Sequence, residues 1–233
     1  TLGEEPQNRF RIKAQLPFPW LCDVVRHPRL LDALEDIMGP NILCWGASFF
    51  TKKAHDPRFI SWHTDSFVYG FEPAETVTAW LGFNDSTVES GCLKYIPGSH
   101  RSVAEHAIRP DPNNLATVGQ NVIGVPEDKA VDAVLRAGQV VFHHESVVHS
   151  STPNLSDNPR IGFSIHYVAP HVRETRFDGA TAMLLRGADE YGHWGTDPDP
   201  RHDLDPVCIE AMESTRAKFM KTTETKIASG GRS

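Results

Sequence analysis

Between Leu21 and Met38 the apolar residues Val24, Val25, Leu30, Leu31, Leu34 and Ile37 recur at spacings of three and four, and Gly39-Pro40 ends the run. That is the period of one helix face, and it predicts an amphipathic helix. The segment ahead of it, TLGEEPQNRFRIKAQLPFPW, is polar and then proline-rich, and reads as an irregular lead-in. Beyond Pro40 the pattern changes. Asn41 to Thr51 is short, aromatic-rich and bounded by turn residues, as strands are. Similar runs follow at Phe59–His63, Val77–Phe83, Cys92–Ile96, Val140–His144 and Ile161–Val168, most of them separated by Gly, Pro, Asn and Asp. Pro110 to Asp128 reads as loop, Asp128 to Arg136 as a weak helix, and Asp205 to Lys221 as a helix. Helices do not alternate with the strands, so a parallel α/β fold is disfavoured. The order predicts a mainly β sandwich or jelly-roll with flanking α-helices.

Length and composition narrow this further. The 233 residues suit a single β-rich domain, with a core at about 40–170 and helical or irregular flanks at 1–39 and 171–233. A hydrophobic fraction of 39% is enough for a packed core and excludes wholesale disorder. The net charge of −7, with no basic stripe, gives no footing for nucleic acid. No apolar run approaches the ~18 residues of a membrane span, and no signal peptide is visible. The expectation is therefore a cytoplasmic protein, a monomer or homodimer, without a membrane partner. The chain does not begin with Met, which leaves room for a preceding segment. The four cysteines are scattered, without CxxC or zinc spacing, and are expected to be buried, reduced thiols.

Candidate chemistry centres on two segments. In WHTDSF (residues 62–67) His63 and Asp65 lie two apart, so on a strand both would project from one face. An imidazole and a carboxylate suit iron(II), and a second His would complete a 2-His-1-carboxylate facial triad with open positions. Alone, HxD is a weak signal. The second segment, GQVVFHHESVVHSSTPNLSDNPRIGFSI (residues 138–165), supplies His149 where a strand gives way to a turn, and Arg160 where the next apolar strand opens. Arginine on such a strand is costly to bury unless it meets an anion, and its planar fork matches a carboxylate.

HTD, the phrase SGCLKYIPGSH (residues 90–100), and HSSTPNLS followed by NPR resemble, in that order, the phytanoyl-CoA dioxygenase family of iron(II)/2-oxoglutarate oxygenases. The resemblance covers roughly residues 40–170. It implies a double-stranded β-helix (jelly-roll, cupin-like) core. It also implies Fe(II), 2-oxoglutarate and dioxygen as cofactors, with ascorbate as activator. His63, Asp65 and His149 match the family's iron ligands. Arg160 and Ser151 match residues that hold the far carboxylate of 2-oxoglutarate, Thr78 a further cosubstrate hydroxyl, and Trp80 a tryptophan lining the site. The implied reaction is hydroxylation of an aliphatic carbon of a small molecule, with 2-oxoglutarate decarboxylated to succinate. Desaturation or cyclisation by the same chemistry, or a non-catalytic ligand-binding member, are the alternatives. Related halogenases carry Ala or Gly in place of the carboxylate ligand, so the presence of Asp65 favours hydroxylation. Ser90 stands where many relatives have Asn, a change a turn tolerates.

Other residues enter more weakly. His143 and His144 are adjacent and would face opposite sides of a strand, so one points inward. His144 and Arg173 are candidate substrate contacts. Lys52 is a candidate to face the pocket, whereas His193-Trp194 reads as packing and His100 as a turn residue. Arg176 and Arg186 are read as solvated charge before any substrate role.

Overall fold

The structure is a computed structural model that describes residues 10–116 and 118–228; the first nine residues of the lead-in lie outside them. In chain order the elements begin with α1 (Pro19–Val25), α2 (Pro28–Met38), β1 (Ile42–Lys52), β2 (Ile60–His63), β3 (Phe71–Glu72), β4 (Val77–Gly82) and β5 (Leu93–Tyr95). There follow β6 (His106–Ile108), β7 (Gln120–Val122), β8 (Val131–Ala133), β9 (Val140–His144), β10 (His149–Ser151) and β11 (Arg160–Val168). The chain closes with β12 (Arg173–Glu174), β13 (Thr181–Arg186), β14 (Gly195–Thr196) and α3 (Pro206–Ala228). All six predicted strand runs are strands, within two residues at either end.

The helix expected over Leu21–Met38 is two helices. Pro28 brings no N–H and biases the preceding residue away from helical geometry. His27 is accordingly extended (φ −61°, ψ 128°), and its Nδ1 accepts a hydrogen bond from Arg29 N at 3.3 Å, capping α2. The buried face of α2 carries Leu31 and Leu34, but Ile37 is 55% exposed and does not join it. The helix expected at Asp128–Arg136 is absent. A single 3-10 turn (Glu127–Lys129) leads into β8, whose backbone groups pair with β5 in the register Leu93↔Ala133 and Tyr95↔Val131. The stretch read as loop contains β7, paired antiparallel with β6. The C-terminal helix forms where expected and runs further, to Ala228.

The chain forms two compact units. Among the described residues, one comprises 10–49, 71–79 and 164–222. Within it the sheet order is β14-β13-β1-β11-β4, with α1, α2 and most of α3. Its core includes Leu16, Cys22, Met183 and Cys208, and a fully buried Lys13–Asp197 ion pair (2.5 Å). The other comprises, among the described residues, 50–70, 80–163 and 223–228. It holds a four-stranded sheet of order β2-β10-β5-β8, and β9 pairs with the end of β4. The four cysteines are free and buried, as expected. Among the described residues, no helix is long and apolar enough to cross a membrane.

Candidate metal centre

The register of the four-stranded sheet builds the site. His149 on β10 pairs with His63 on β2 and with Tyr95 on β5, so the three form one transverse row. Cross-strand partners share a sheet face, which sets their side chains next to one another. The rings of His63 and His149 have centroids 4.1 Å apart, and those of Tyr95 and His149 5.8 Å. Asp65 arrives differently from what strand alternation would give. β2 ends at His63, and Asp65 opens a 3-10 turn, Asp65–Phe67. Thr64 N donates to His106 Nε2 at 3.2 Å, and the His106 ring stacks on Phe67 at 4.4 Å, fixing the turn from both ends.

The hydrogen bonds set the tautomers. His63 Nδ1 lies 2.8 Å from Ser61 O and His149 Nδ1 lies 3.0 Å from Val147 O. A carbonyl only accepts, so each Nδ1 carries a proton, and in the neutral ring Nε2 is left as the ligating lone pair. Both Nε2 atoms face Asp65 Oδ1, at 3.7 and 3.8 Å. One donor atom from each of His63, Asp65 and His149 fits within 4.8 Å of the others, a spacing at which they can hold a metal ion. Burial opposes charge on Asp65, but His143, His149 and His63 outweigh it and hold the carboxyl well below its ordinary range. Burial, reinforced by His63, pushes His149 well below the usual imidazole value, which favours the neutral, ligating form. Two imidazoles and a carboxylate are the donor set of a non-haem iron(II) site.

A second cluster in the same unit is cationic. Arg160 is 1% exposed; its Nη1 donates to Phe50 O at 3.1 Å, while Nε and Nη2 are buried without a hydrogen-bond partner. Its guanidinium lies over the Trp80 ring, 5.3 Å from the centroid. Gly162 permits this arrangement, because a Cβ there would sit 2.0 Å from the indole. Lys52, at the end of β1, is fully buried and donates to Ser151 Oγ at 2.8 Å and to Thr152 O. Burial, then the charge of Arg160, lowers Lys52 to about 6. Burial lowers Arg160 to about 10. Two buried bases beside a hydroxyl, with unpaired N–H groups, form a cradle for an anion. Ser151 lies two residues beyond His149 on β10, so the two side chains project from the same face of that strand.

The other expected residues are placed as follows. Thr78 belongs to the first unit, where its Oγ1 is 3.0 Å from His166 Nδ1. Arg173, in the same unit, is exposed and pairs with Glu72 at 2.9 Å. Arg176 pairs with Glu174 and lies over Phe219, and Arg186 bridges Asp32 and Glu35. Trp194 is packed, its Nε1 donating to Val172 O at 2.7 Å. His143, not His144, turns to the triad. His143 Nε2 is 3.5 Å from Asp65 Oδ2, whereas His144 Nδ1 accepts from Ser146 N at 3.1 Å. Tyr95, read only as part of a motif, donates or accepts at His143 Nδ1, 2.9 Å away. Ser90 Oγ closes its turn on Thr87 N at 2.9 Å. A cavity of about 500 Å³ is lined by Trp62, Arg109, Asn121 and Ser150 among others, but by none of the triad.

A family model described as phytanoyl-CoA dioxygenase matches residues 18–162, more than half of the chain. The chain belongs to the phytanoyl-CoA dioxygenase family. Among curated members, it is 35% identical over 112 residues to a phytanoyl-CoA dioxygenase domain-containing protein 1 homolog of Dictyostelium discoideum, covering 46% of this chain and 39% of that protein. The chain spans about two fifths to half of the length of several curated relatives it matches. The solved non-heme monooxygenase ThoJ, in its apo form, superposes with a TM-score of 0.84 at 27% identity, over 97% of this chain and 84% of that one. The epimerase SnoN, solved with Fe3+, alpha-ketoglutarate and nogalamycin RO, superposes with a TM-score of 0.60 at 26% identity, over 79% and 76%. The fold is thus the mainly β, jelly-roll class of the iron/2-oxoglutarate oxygenases, as the sequence resemblance implied.

Proposed function

We propose that this chain is an iron(II)- and 2-oxoglutarate-dependent dioxygenase that hydroxylates an aliphatic carbon of a small molecule. The observation that carries the reading is the convergence of two imidazole lone pairs on one oxygen of Asp65, in the same unit as a buried Arg160 with two unpaired nitrogens. His63, Asp65 and His149 hold the metal. Arg160 and Ser151 take the far carboxylate of 2-oxoglutarate. When bound, iron with 2-oxoglutarate and dioxygen supplies an oxidant for a C–H bond, and 2-oxoglutarate leaves as succinate and carbon dioxide.

The side chains bind and orient; no general base is invoked. Fixing the far carboxylate on Arg160 sets the orientation of the 2-oxo acid end before reaction begins. Trp80 covers the guanidinium and keeps water from it, which strengthens the pairing. The backbone carbonyls of Ser61 and Val147 hold the two imidazoles in their ligating tautomer.

Succinate release by the purified chain with Fe(II), ascorbate, 2-oxoglutarate and a library of candidate substrates is the test. Substrate-dependent succinate with a product heavier by one oxygen supports the reading. Absence of both iron binding and succinate under all conditions would refute it. The likeness to an epimerase supports a second reading, in which the same chemistry ends in a different outcome such as desaturation, cyclisation or inversion at carbon. A substrate-dependent product with no added oxygen would decide for it.

A further inference from the structure

His143 sits at the end of β9 and is 8% exposed. Its two nitrogens meet different groups. Nδ1 is 2.9 Å from Tyr95 Oη. Nε2 is buried, lacks a hydrogen-bond partner, and lies 3.5 Å from Asp65 Oδ2. It stands apart from the group of donor atoms, contributed by His63, Asp65 and His149, that fits within 4.8 Å. Asp65 therefore divides its oxygens: Oδ1 faces the two ligand imidazoles and Oδ2 faces His143.

The proton positions follow from what each group can offer. Neutral imidazole has one donor and one acceptor nitrogen, and a phenol both donates and accepts. With the proton on Nδ1, the Nε2 lone pair would point at an anionic oxygen in a buried site, which is repulsive and unrelieved. With the proton on Nε2, Tyr95 donates to Nδ1 and His143 presents an N–H to Oδ2. Both buried polar groups are then used, and the chain runs Tyr95 to His143 to Asp65.

We propose that His143, its tautomer set by Tyr95, is a positioning residue that engages Asp65 Oδ2 and keeps Asp65 a one-oxygen metal ligand. This rests on the metal site proposed above. An unrestrained carboxylate can swing both oxygens onto a metal and occupy a position that the 2-oxo acid and dioxygen need. An N–H committed to Oδ2 prevents that, and groups of this kind orient ligands from outside the coordination sphere. Tyr95 reaches the site because its strand places it opposite His149.

The test is anaerobic Fe(II) and Co(II) titration of the full chain, read by calorimetry and by the visible spectrum of the Co(II) form. Wild type is compared with His143→Phe, His143→Gln and Tyr95→Phe. His143→Phe should bind metal about 10- to 100-fold more weakly. Its Co(II) bands should weaken, as coordination number rises when Asp65 becomes bidentate. His143→Gln retains an N–H near the Nε2 position and should recover most of the affinity and the wild-type spectrum. Tyr95→Phe should fall between. Wild-type affinity and spectrum in a folded His143→Phe would overturn the proposal. If that variant does not fold, Tyr95→Phe decides: a weakened site supports the proposal and an unchanged one overturns it. Failure of the wild type to bind metal would instead sink the metal site itself.

Discussion

His149 stands opposite His63 across the β10–β2 pairing, and both direct Nε2 at the same oxygen of Asp65, 3.8 and 3.7 Å away. The relationship makes each ligand's loss testable. His149→Ala removes one of two imidazoles and should abolish Fe(II) binding and succinate formation together, while the fold persists. Metal titration and circular dichroism measure the two separately. Full iron affinity in the folded variant would remove His149 from the centre.

Arg160 carries the cosubstrate half of the reading. Arg160→Met keeps the apolar stem beneath Trp80 and removes the charge and the fork. A carboxylate left without its partner in a buried site costs roughly 3–5 kcal/mol. The apparent KM for 2-oxoglutarate should therefore rise by about 100-fold or more, while Fe(II) affinity holds. Calorimetric titration of 2-oxoglutarate into the metal-loaded variant measures it, and an unchanged affinity would take Arg160 out of the role.

Much of this site was legible in the sequence, for identifiable reasons. The HxD pair, the later His and the strand-opening Arg are residue types whose burial demands a partner, so their spacing carried information. How Asp65 reaches His63 was not legible, because it depends on where β2 stops: strand alternation was expected, and a 3-10 turn does the work. The roles of His143 and Tyr95 were hidden because they depend on cross-strand register, Tyr95↔His149, which no local pattern fixes. Choosing His144 over His143 came down to the sense of one strand's alternation. The broken N-terminal helix was legible in principle, since Pro28 interrupts the very period that suggested continuity.

Lys52 gives the proposed cosubstrate site a pH dependence with a defined sign. Burial and Arg160 lower it from 10.5 to about 6 in the folded protein. Between these values the unfolded chain holds a proton that the native chain has released, so this group's contribution raises stability as pH climbs through the window. A dicarboxylate placed beside Arg160 favours the protonated form and draws that proton back. Binding of 2-oxoglutarate should therefore take up a fraction of a proton at pH 7–8 and weaken as pH rises, by less than about tenfold per pH unit. Calorimetry in buffers of different ionisation enthalpy counts the proton, and Lys52→Met should flatten the dependence. A wild-type affinity independent of pH across this range would refute the coupling.

Gly162 ties stability to the anion cradle. A Cβ there would lie 2.0, 2.5 and 2.8 Å from three atoms of the Trp80 ring. The indole is itself buried, at 3% exposure, so it cannot move aside without repacking. Overpacking of this kind costs about 1–3 kcal/mol, and Gly162→Ala should lower stability by that amount in urea unfolding. Because the same ring lies on Arg160, 5.3 Å from centroid to guanidinium carbon, the displaced indole should also weaken 2-oxoglutarate binding. Trp80→Phe offers a smaller ring and makes room for the new methyl. The double variant Gly162→Ala/Trp80→Phe should then be less destabilised than the sum of the two single changes, a coupling that a double-mutant cycle reads directly. Strict additivity would mean that the strain of the added methyl is relieved elsewhere, and that Gly162 does not serve to seat Trp80 over Arg160.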